Sequence, residues 1–253
     1  MPLIQTTDHD HGIRELKLAR PPVNALNPPL CQALEQAVRE AESDGARGLI
    51  LSGGEGVFSA GLDVPYLLSL GDDLDSVTAA WNAFFQAARA LATGSLPVVA
   101  AMAGHAPAGG CVLALCCDYR IMAAGPFRIG LNETQVGLVA PEGIQHLLRR
   151  VVGVYRAERL LVAGHMPEAA QAHAIGLVDE VVEAAQVLPR ARQWLAELLR
   201  LPRQPMLDTR AIARADLVAA LQPERIELAR FIDAWKHPDT QAGLRALVAK
   251  LKK

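Results

Sequence analysis

The sequence predicts an α/β domain of largely parallel strands, closed at its C-terminal end by a layer of helices. Three observations predict it. Short apolar segments alternate with longer helical patterns through the first two-thirds of the chain, which is how strands joined by crossover helices read. From about residue 141 onward the pattern turns helical. Finally, 51% of the 253 residues are hydrophobic, enough for one large core in a chain of single-domain length.

Taken in order, the opening MPLIQTTDHDHGIREL (1–16) lacks the basic-then-apolar order of a signal peptide. Its DHDH (8–11) sends consecutive side chains in different directions on an extended chain, so it reads as a solvated hairpin tip and not as a metal site. IRELKLA (13–19) alternates as a half-buried strand does, while RGLILSG (47–53), LPVVAAM (96–102) and DYRIMAA (118–124) read as further strands. Between them, 28–44 and 74–93 have helical length and periodicity. The later helical text runs through PEGIQHLLRRVV, VYRAERLLVAG, PEAAQAHAIG, EAAQVLPRARQWLAELLR and AGLRALVAKLKK. The Pro/Gly clusters are short enough to be turns, with no low-complexity linker or repeat.

Charge and cysteine content exclude several function classes. With 25 Lys+Arg against 27 Asp+Glu the net charge is −2 and no basic stripe is present, which disfavours nucleic-acid binding. Cys31, Cys111, Cys116 and Cys117 show neither CxxC spacing nor a His/Cys cluster, so they read as reduced, buried thiols and no metal is expected. The longest apolar stretches, such as LPVVAAMAG, fall short of the roughly 20 residues of a membrane span. A cytoplasmic protein with no membrane partner is expected.

Two junctions carry the chemistry. GVFSAGLDV (56–64) follows the strand at 47–53, and GHAPAGGCVLAL (104–115) follows the strand at 96–102. Small residues there leave backbone N–H groups unshielded where a helix begins. Neither junction is a GxGxxG or GxxxxGK[ST] motif, so dinucleotide and phosphoryl chemistry lose their usual support. Tight turns and close packing would explain either set of glycines alone. A third feature adds weight: Glu133, in the otherwise uncharged IGLNETQVGL (129–138), is a carboxylate that must lie at a surface or at a site. Two backbone donors can polarise a carbonyl and hold the enolate formed when one carboxylate removes the neighbouring proton. That chemistry needs no metal or organic cofactor.

PPVNALN (21–27), VFSAGLD (57–63), PAGGCVLALCCDYRIMA (107–123) and IGLNETQVGLVAP (129–141) together resemble the crotonase, or enoyl-CoA hydratase/isomerase, superfamily. Within it they are most similar to the mitochondrial-type delta isomerases, which convert 3-enoyl-CoA to 2-enoyl-CoA. The resemblance implies a crotonase-type (ClpP/crotonase) spiral of β-β-α units, with an acyl-CoA core over 1–195 and a helical trimerisation region over 196–253. It implies a homotrimer or dimer of trimers. It also implies oxyanion-hole donors at the N–H groups of Leu62 and Gly109. Ala60, Gly61, Asp63 and Val64 would shape the thioester-binding segment, Asn132 would lie beside the acyl chain, and Glu133 would be the catalytic carboxylate. Coenzyme A belongs to the substrate, and no separate cofactor is implied.

The same resemblance singles out Val112. Hydratases of the superfamily carry there a second glutamate that positions water, whereas this sequence reads GGCV (109–112). Adding water needs both a base and an acid, while moving a double bond can use one group for both proton transfers, so isomerisation is the expected activity and hydration the alternative. Glu142, just after Pro141, could in principle restore the pair, or it could be a first-turn acid favoured by a helix dipole. The segment 65–90 is expected to line the acyl pocket. Candidates for the CoA phosphates are Arg20, Lys250, Lys252 and Lys253.

Overall fold

The computed structural model describes residues 2–251, so Lys252 and Lys253 lie outside the described residues. Strands β1 (Ile4–His9) and β2 (Ile13–Leu18) pair antiparallel, with a 3-10 turn over Asp10–Gly12 at the exposed tip. The DHDH segment straddles that tip: Asp8 and His9 end β1, with His9 against Glu15 at 3.2 Å, and Asp10 and His11 lie in the exposed turn. Strands β3 (Gly48–Ser52), β5 (Val98–Met102), β7 (Tyr119–Ala123) and β9 (Glu180–Val182) then extend β2 in parallel, in the order β1-β2-β3-β5-β7-β9. A second sheet is built from β4 (Gly56–Val57), β6 (Gly104–Pro107) and β8 (Ile129–Gly130), all parallel.

The helix α1 (Pro28–Ser43) joins β2 to β3. From β3 onward the chain repeats one move three times: a strand in the large sheet, a short strand in the small sheet, then helix. The first pass ends in α2 (Val64–Ser69) and α3 (Leu74–Thr93), the second in α4 (Gly109–Leu115), and the third in a 3-10 turn over Glu133–Val136 and α5 (Glu142–Val152). This is the expected spiral of β-β-α units. The remaining helices are α6 (Val154–Ala163), α7 (Ala169–Ala174), α8 (Val187–Leu198), α9 (Arg203–Ala213), α10 (Ala215–Ala220), α11 (Pro223–Ile226), α12 (Leu228–Trp235) and α13 (Pro238–Leu251).

Local chemistry sets these elements. Asn27 caps α1 by accepting from the Leu30 N–H at 3.1 Å, Pro28 opens the first turn, and Leu30, Leu34, Val38 and Ala41 recur on one buried face. That face packs on α3, whose Ala80, Ala83, Ala87 and Ala88 are all buried. The opposite face of the large sheet is covered by α8, through Val187, Ala191 and Leu195 against Ile13, Ile50, Val99 and Ile121. The expected division between residues 195 and 196 falls inside the last turn of α8. All four cysteines are free and buried, and burial raises the Cys31 thiol to about 12.

Two expectations need correction. The strand-to-helix junctions are in fact strand-to-strand-to-helix, because β4 and β6 intervene; with two and four residues they are too short to leave a period in the sequence. The C-terminal part is not purely helical either, since β9 completes the large sheet with three residues. Among the described residues, no helix is long and apolar enough to cross a membrane.

Candidate active site

The strands of the small sheet are parallel, so their C-terminal ends lie on one side, and the residues that follow them are those singled out in the sequence. Ligands bind at such ends because loops there are free to vary over a fixed frame. The three loops are built differently.

The loop after β4 is held by the PPVNALN segment. Asn24, buried and at φ 50°, donates through Nδ2 to the Phe58 carbonyl at 3.0 Å and accepts from the Arg20 N–H at 2.9 Å. Ser59 Oγ donates to the Asn24 carbonyl at 2.8 Å and accepts from the Gly61 N–H at 3.2 Å. The Ala60 N–H reaches the Val23 carbonyl, and the Leu26 N–H and carbonyl engage the Gly61 carbonyl and the Asp63 N–H at 2.8 and 3.0 Å. In a parallel bridge of this kind the middle residue, Leu62, turns its own N–H away from its partner strand. Among the described residues the Leu62 N–H has no acceptor.

After β6, the Ala108 N–H is fixed to the Gly130 carbonyl at 2.8 Å, and Ala108 itself adopts φ 45°, ψ −116°. A non-glycine residue there is strained, and the surroundings hold it. Gly109 begins α4, where an N–H has no partner within the helix. The two loops touch: a Cβ on Gly61, at φ +81°, would lie 3.1 Å from the Gly109 nitrogen, and one on Gly110 would lie 2.5 Å from the Ser59 carbonyl oxygen. Glycine is required at both, and it brings the Leu62 peptide against the start of α4.

The third loop delivers Asn132 and Glu133. Glu133 is half-buried as a residue, but its Oε2 is sealed from solvent and has no hydrogen-bond partner among the described residues; the same holds for Asn132 Oδ1. Burial pushes the Glu133 carboxyl up to about 7, opposed only by its own backbone N–H. Its charge is felt at Cys111, two residues along α4 from Gly109, where burial first and Glu133 second raise the thiol. Glu133 faces a cavity of about 170 Å³ lined by Leu131, Val139, Ala140, Leu161 and Val162. None of the residues lining it comes from 65–90, the segment expected to do so.

The other expected residues have settled roles. Asp63 caps α2, accepting from the Tyr66 N–H at 3.0 Å, and pairs with Arg20 at 2.6 Å. Arg20 also donates to the Ala25 carbonyl at 2.7 Å, so this candidate phosphate ligand is engaged in holding the loop. The Val64 N–H turns back to the Leu62 carbonyl at 2.9 Å. Val112 is buried in α4 and apolar, as the sequence reads. Glu142 opens α5 and faces outward: although burial alone would raise its carboxyl, Arg225 at 2.7 and 2.8 Å and Arg149 at 3.0 Å hold it below the usual range. It is the first-turn acid of the two readings. Sequence reasoning missed Asn24 and Ser59 as the supports of the loop, and α6 as a wall of the cavity. The NAL of PPVNALN was a signal for the first; a surface helix such as α6 offers none.

A profile of the enoyl-CoA hydratase/isomerase family matches residues 8–253. Human mitochondrial enoyl-CoA delta isomerase 1 is 34% identical over 249 residues, covering 97% of this chain and 82% of that protein. A probable enoyl-CoA hydratase of Mycolicibacterium paratuberculosis is 32% identical over 234 residues, covering 89% of this chain and 90% of the relative. The crystal structure of human mitochondrial delta3-delta2-enoyl-CoA isomerase superposes with a TM-score of 0.93 at 32% identity, over 99% of this chain and 98% of that one.

Proposed function

The chain belongs to the enoyl-CoA hydratase/isomerase family, and on that premise we propose that it is an isomerase that moves the double bond of a 3-enoyl-CoA to the 2-position in fatty-acid degradation. The thioester oxygen accepts hydrogen bonds from the N–H groups of Leu62 and Gly109. Glu133 Oε2 takes a proton from C2, and the C–H electron pair moves into the C1–C2 bond while negative charge collects on the thioester oxygen, opposite the two donors. The same acid then gives the proton to C4, the double bond forms between C2 and C3, and Glu133 returns to its ionised state. The steps are redox-neutral and need no group beyond the substrate and the protein.

The observation that supports isomerisation over hydration is the single free carboxylate. Val112 is buried and apolar at the position where the family resemblance implies a water-positioning acid in hydratases, and Glu142 is held at the surface by Arg149 and Arg225. One base suffices for a proton transfer within one substrate; hydration asks for two groups of opposite protonation. The human isomerase leans the same way, and the mycobacterial relative keeps hydration as the second reading.

The test measures both reactions on the wild type, Glu133→Gln and Val112→Glu. Glu133→Gln keeps shape but cannot accept a proton, so isomerisation should fall by about 10²–10⁴-fold. Val112→Glu should raise the ratio of hydration to isomerisation. Wild-type isomerisation in Glu133→Gln, or a wild type that hydrates 2-enoyl-CoA faster than it isomerises 3-enoyl-CoA, overturns the reading.

A further inference from the structure

Resting on the reading of Glu133 as the base, we infer that the acyl chain beyond C4 leaves the site between the Glu133 turn and α6, crosses Leu131, Ala140 and Leu161, and meets solvent between Val139 and Val162. These two valines are then determinants of chain-length preference. A base that serves both C2 and C4 must lie against the middle of that reacting segment, so the rest of the chain starts at Glu133 and has to go somewhere.

The other directions are closed. Inward, Ala106, Val112 and Leu131 are at most 2% exposed. Past Gly109, a Cβ would already lie 3.0 Å from Leu26 and Leu62 side-chain carbons and 3.2 Å from Phe84, and behind Phe84 the ring of Trp81 packs on Phe231 at 4.4 Å. Over the turn itself lies α13: Thr240 Oγ1 donates to the Gly137 carbonyl at 2.6 Å, and a Cβ on Gly243 would lie 2.8 Å from the Val136 carbonyl oxygen. Among the described residues, the side facing α6 holds a cavity.

That side is also chemically suited to hydrocarbon. Its other polar lining groups are engaged: Thr134 Oγ1 donates to the Leu161 carbonyl at 3.2 Å, and Gln145 donates to the Ala140 carbonyl at 2.9 Å and accepts from Arg149 at 3.1 Å. Glu133 is the charged residue of the lining, its unpartnered Oε2 sealed just behind the surface, and the rest is aliphatic. The cavity's 170 Å³ is the space of roughly six waters at ~30 Å³ each. A short chain fills it and a longer one must pass the mouth, where Val139 and Val162 are 62% and 75% exposed. Together with the apolar lining of the cavity the two side chains form a contiguous apolar surface, the kind that marks a ligand-binding groove.

The test is the dependence of kcat/KM on chain length with 3-hexenoyl-, 3-octenoyl- and 3-dodecenoyl-CoA. In the wild type each methylene that becomes buried should raise it by about fourfold, and the gain should stop once the chain has passed the mouth. The doubly substituted Val139→Ser, Val162→Ser protein should lose roughly tenfold or more in the ratio of dodecenoyl to hexenoyl turnover. Leu161→Trp, which fills the cavity, should lower the same ratio from inside. Because both valines are exposed, the serine variant tests the path even if Leu161→Trp fails to fold. Competition binding of saturated hexanoyl- and dodecanoyl-CoA reads the path without turnover. If no 3-enoyl-CoA is isomerised but the serine variant still loses dodecanoyl preference in binding, the assignment of reaction fails and the path stands. If the serine variant keeps the wild-type ratio in turnover and in binding, the path is wrong, including the case where the substitutions change only the assembly of subunits.

Discussion

As the base proposed above, Glu133 has to be neutral enough to sit beside an aliphatic cavity and ionised often enough to accept a proton, and burial that lifts its carboxyl to about 7 is compatible with both. Burial raises its carboxyl from 4.5 to about 7. The ionised form is the active one, so kcat/KM for isomerisation should rise with pH through about 7 and level off above it; a profile flat from pH 5 to 8 would remove Glu133 as the base. The same shift acts on stability with the opposite sense. Between 4.5 and about 7 the unfolded chain has released this proton while the native protein keeps it, so native stability falls over that window and is constant above it. The whole effect is about 3 kcal/mol, and Glu133→Gln should abolish it, leaving a variant that is inactive yet harder to unfold above pH 7. Thermal melts of both proteins at pH 5 and pH 8 measure the difference. Glu133 was legible in the sequence because a lone acid in an apolar run has few explanations. Val139 and Val162 were not, because an exposed valine in a sequence looks like any other.

At the scale of elements, the site is a contact between two loops, and glycine is what allows it. Gly61 and Gly71 make a controlled pair: both have positive φ, +81° and +57°, but a Cβ on Gly61 meets the Gly109 nitrogen at 3.1 Å while one on Gly71 has nothing within 4 Å. Alanine at either position should cost about 1–2 kcal/mol in backbone strain. Only Gly61→Ala should also part the Leu62 peptide from α4, with a fall in kcat of about 10²–10³-fold, the cost of losing one oxyanion donor. Equal kcat losses in the two variants would show that the loop contact does not serve catalysis. The long elements, such as α1, α3 and the apolar strands β3 and β5, were legible because their periods extend over several residues. The small sheet that positions every candidate residue was not, since strands of two to four residues are defined by their partners and not by their own sequence.

At the scale of the whole molecule, α9 is held in place mainly by its charges, with its Met206 side chain packed, partly buried, against the core under α8. No residue of this helix is buried, and Ile212 is 79% exposed, with Leu201 just before the helix at 52%. Yet the helix is tied to the core by its cations: Arg210 grips Asp118 at 2.8 and 2.9 Å and donates to the Gly94 carbonyl at 2.7 Å, and Arg214, just after it, reaches Asp118 at 2.8 Å and the Cys116 carbonyl at 2.6 Å. Buried charges so arranged are costly and chiefly fix geometry, and a rigidly presented helix that holds Ile212 out in solvent among polar residues suits a subunit interface with an apolar contact and a polar rim. Beside it, Trp194, Leu198, Leu201, Pro205 and Met206 line a groove of about 480 Å³. We therefore expect self-association through the α8 and α9 surface; the family resemblance implies a homotrimer or dimer of trimers, so light scattering on the wild type should give three or six protomers at micromolar concentration. Ile212→Glu combined with Leu201→Glu adds charge where both side chains are more than half exposed in the protomer, so the fold should survive while the assembly falls to single chains. A wild type that already runs as a single chain would assign the α9 face to something other than a second copy.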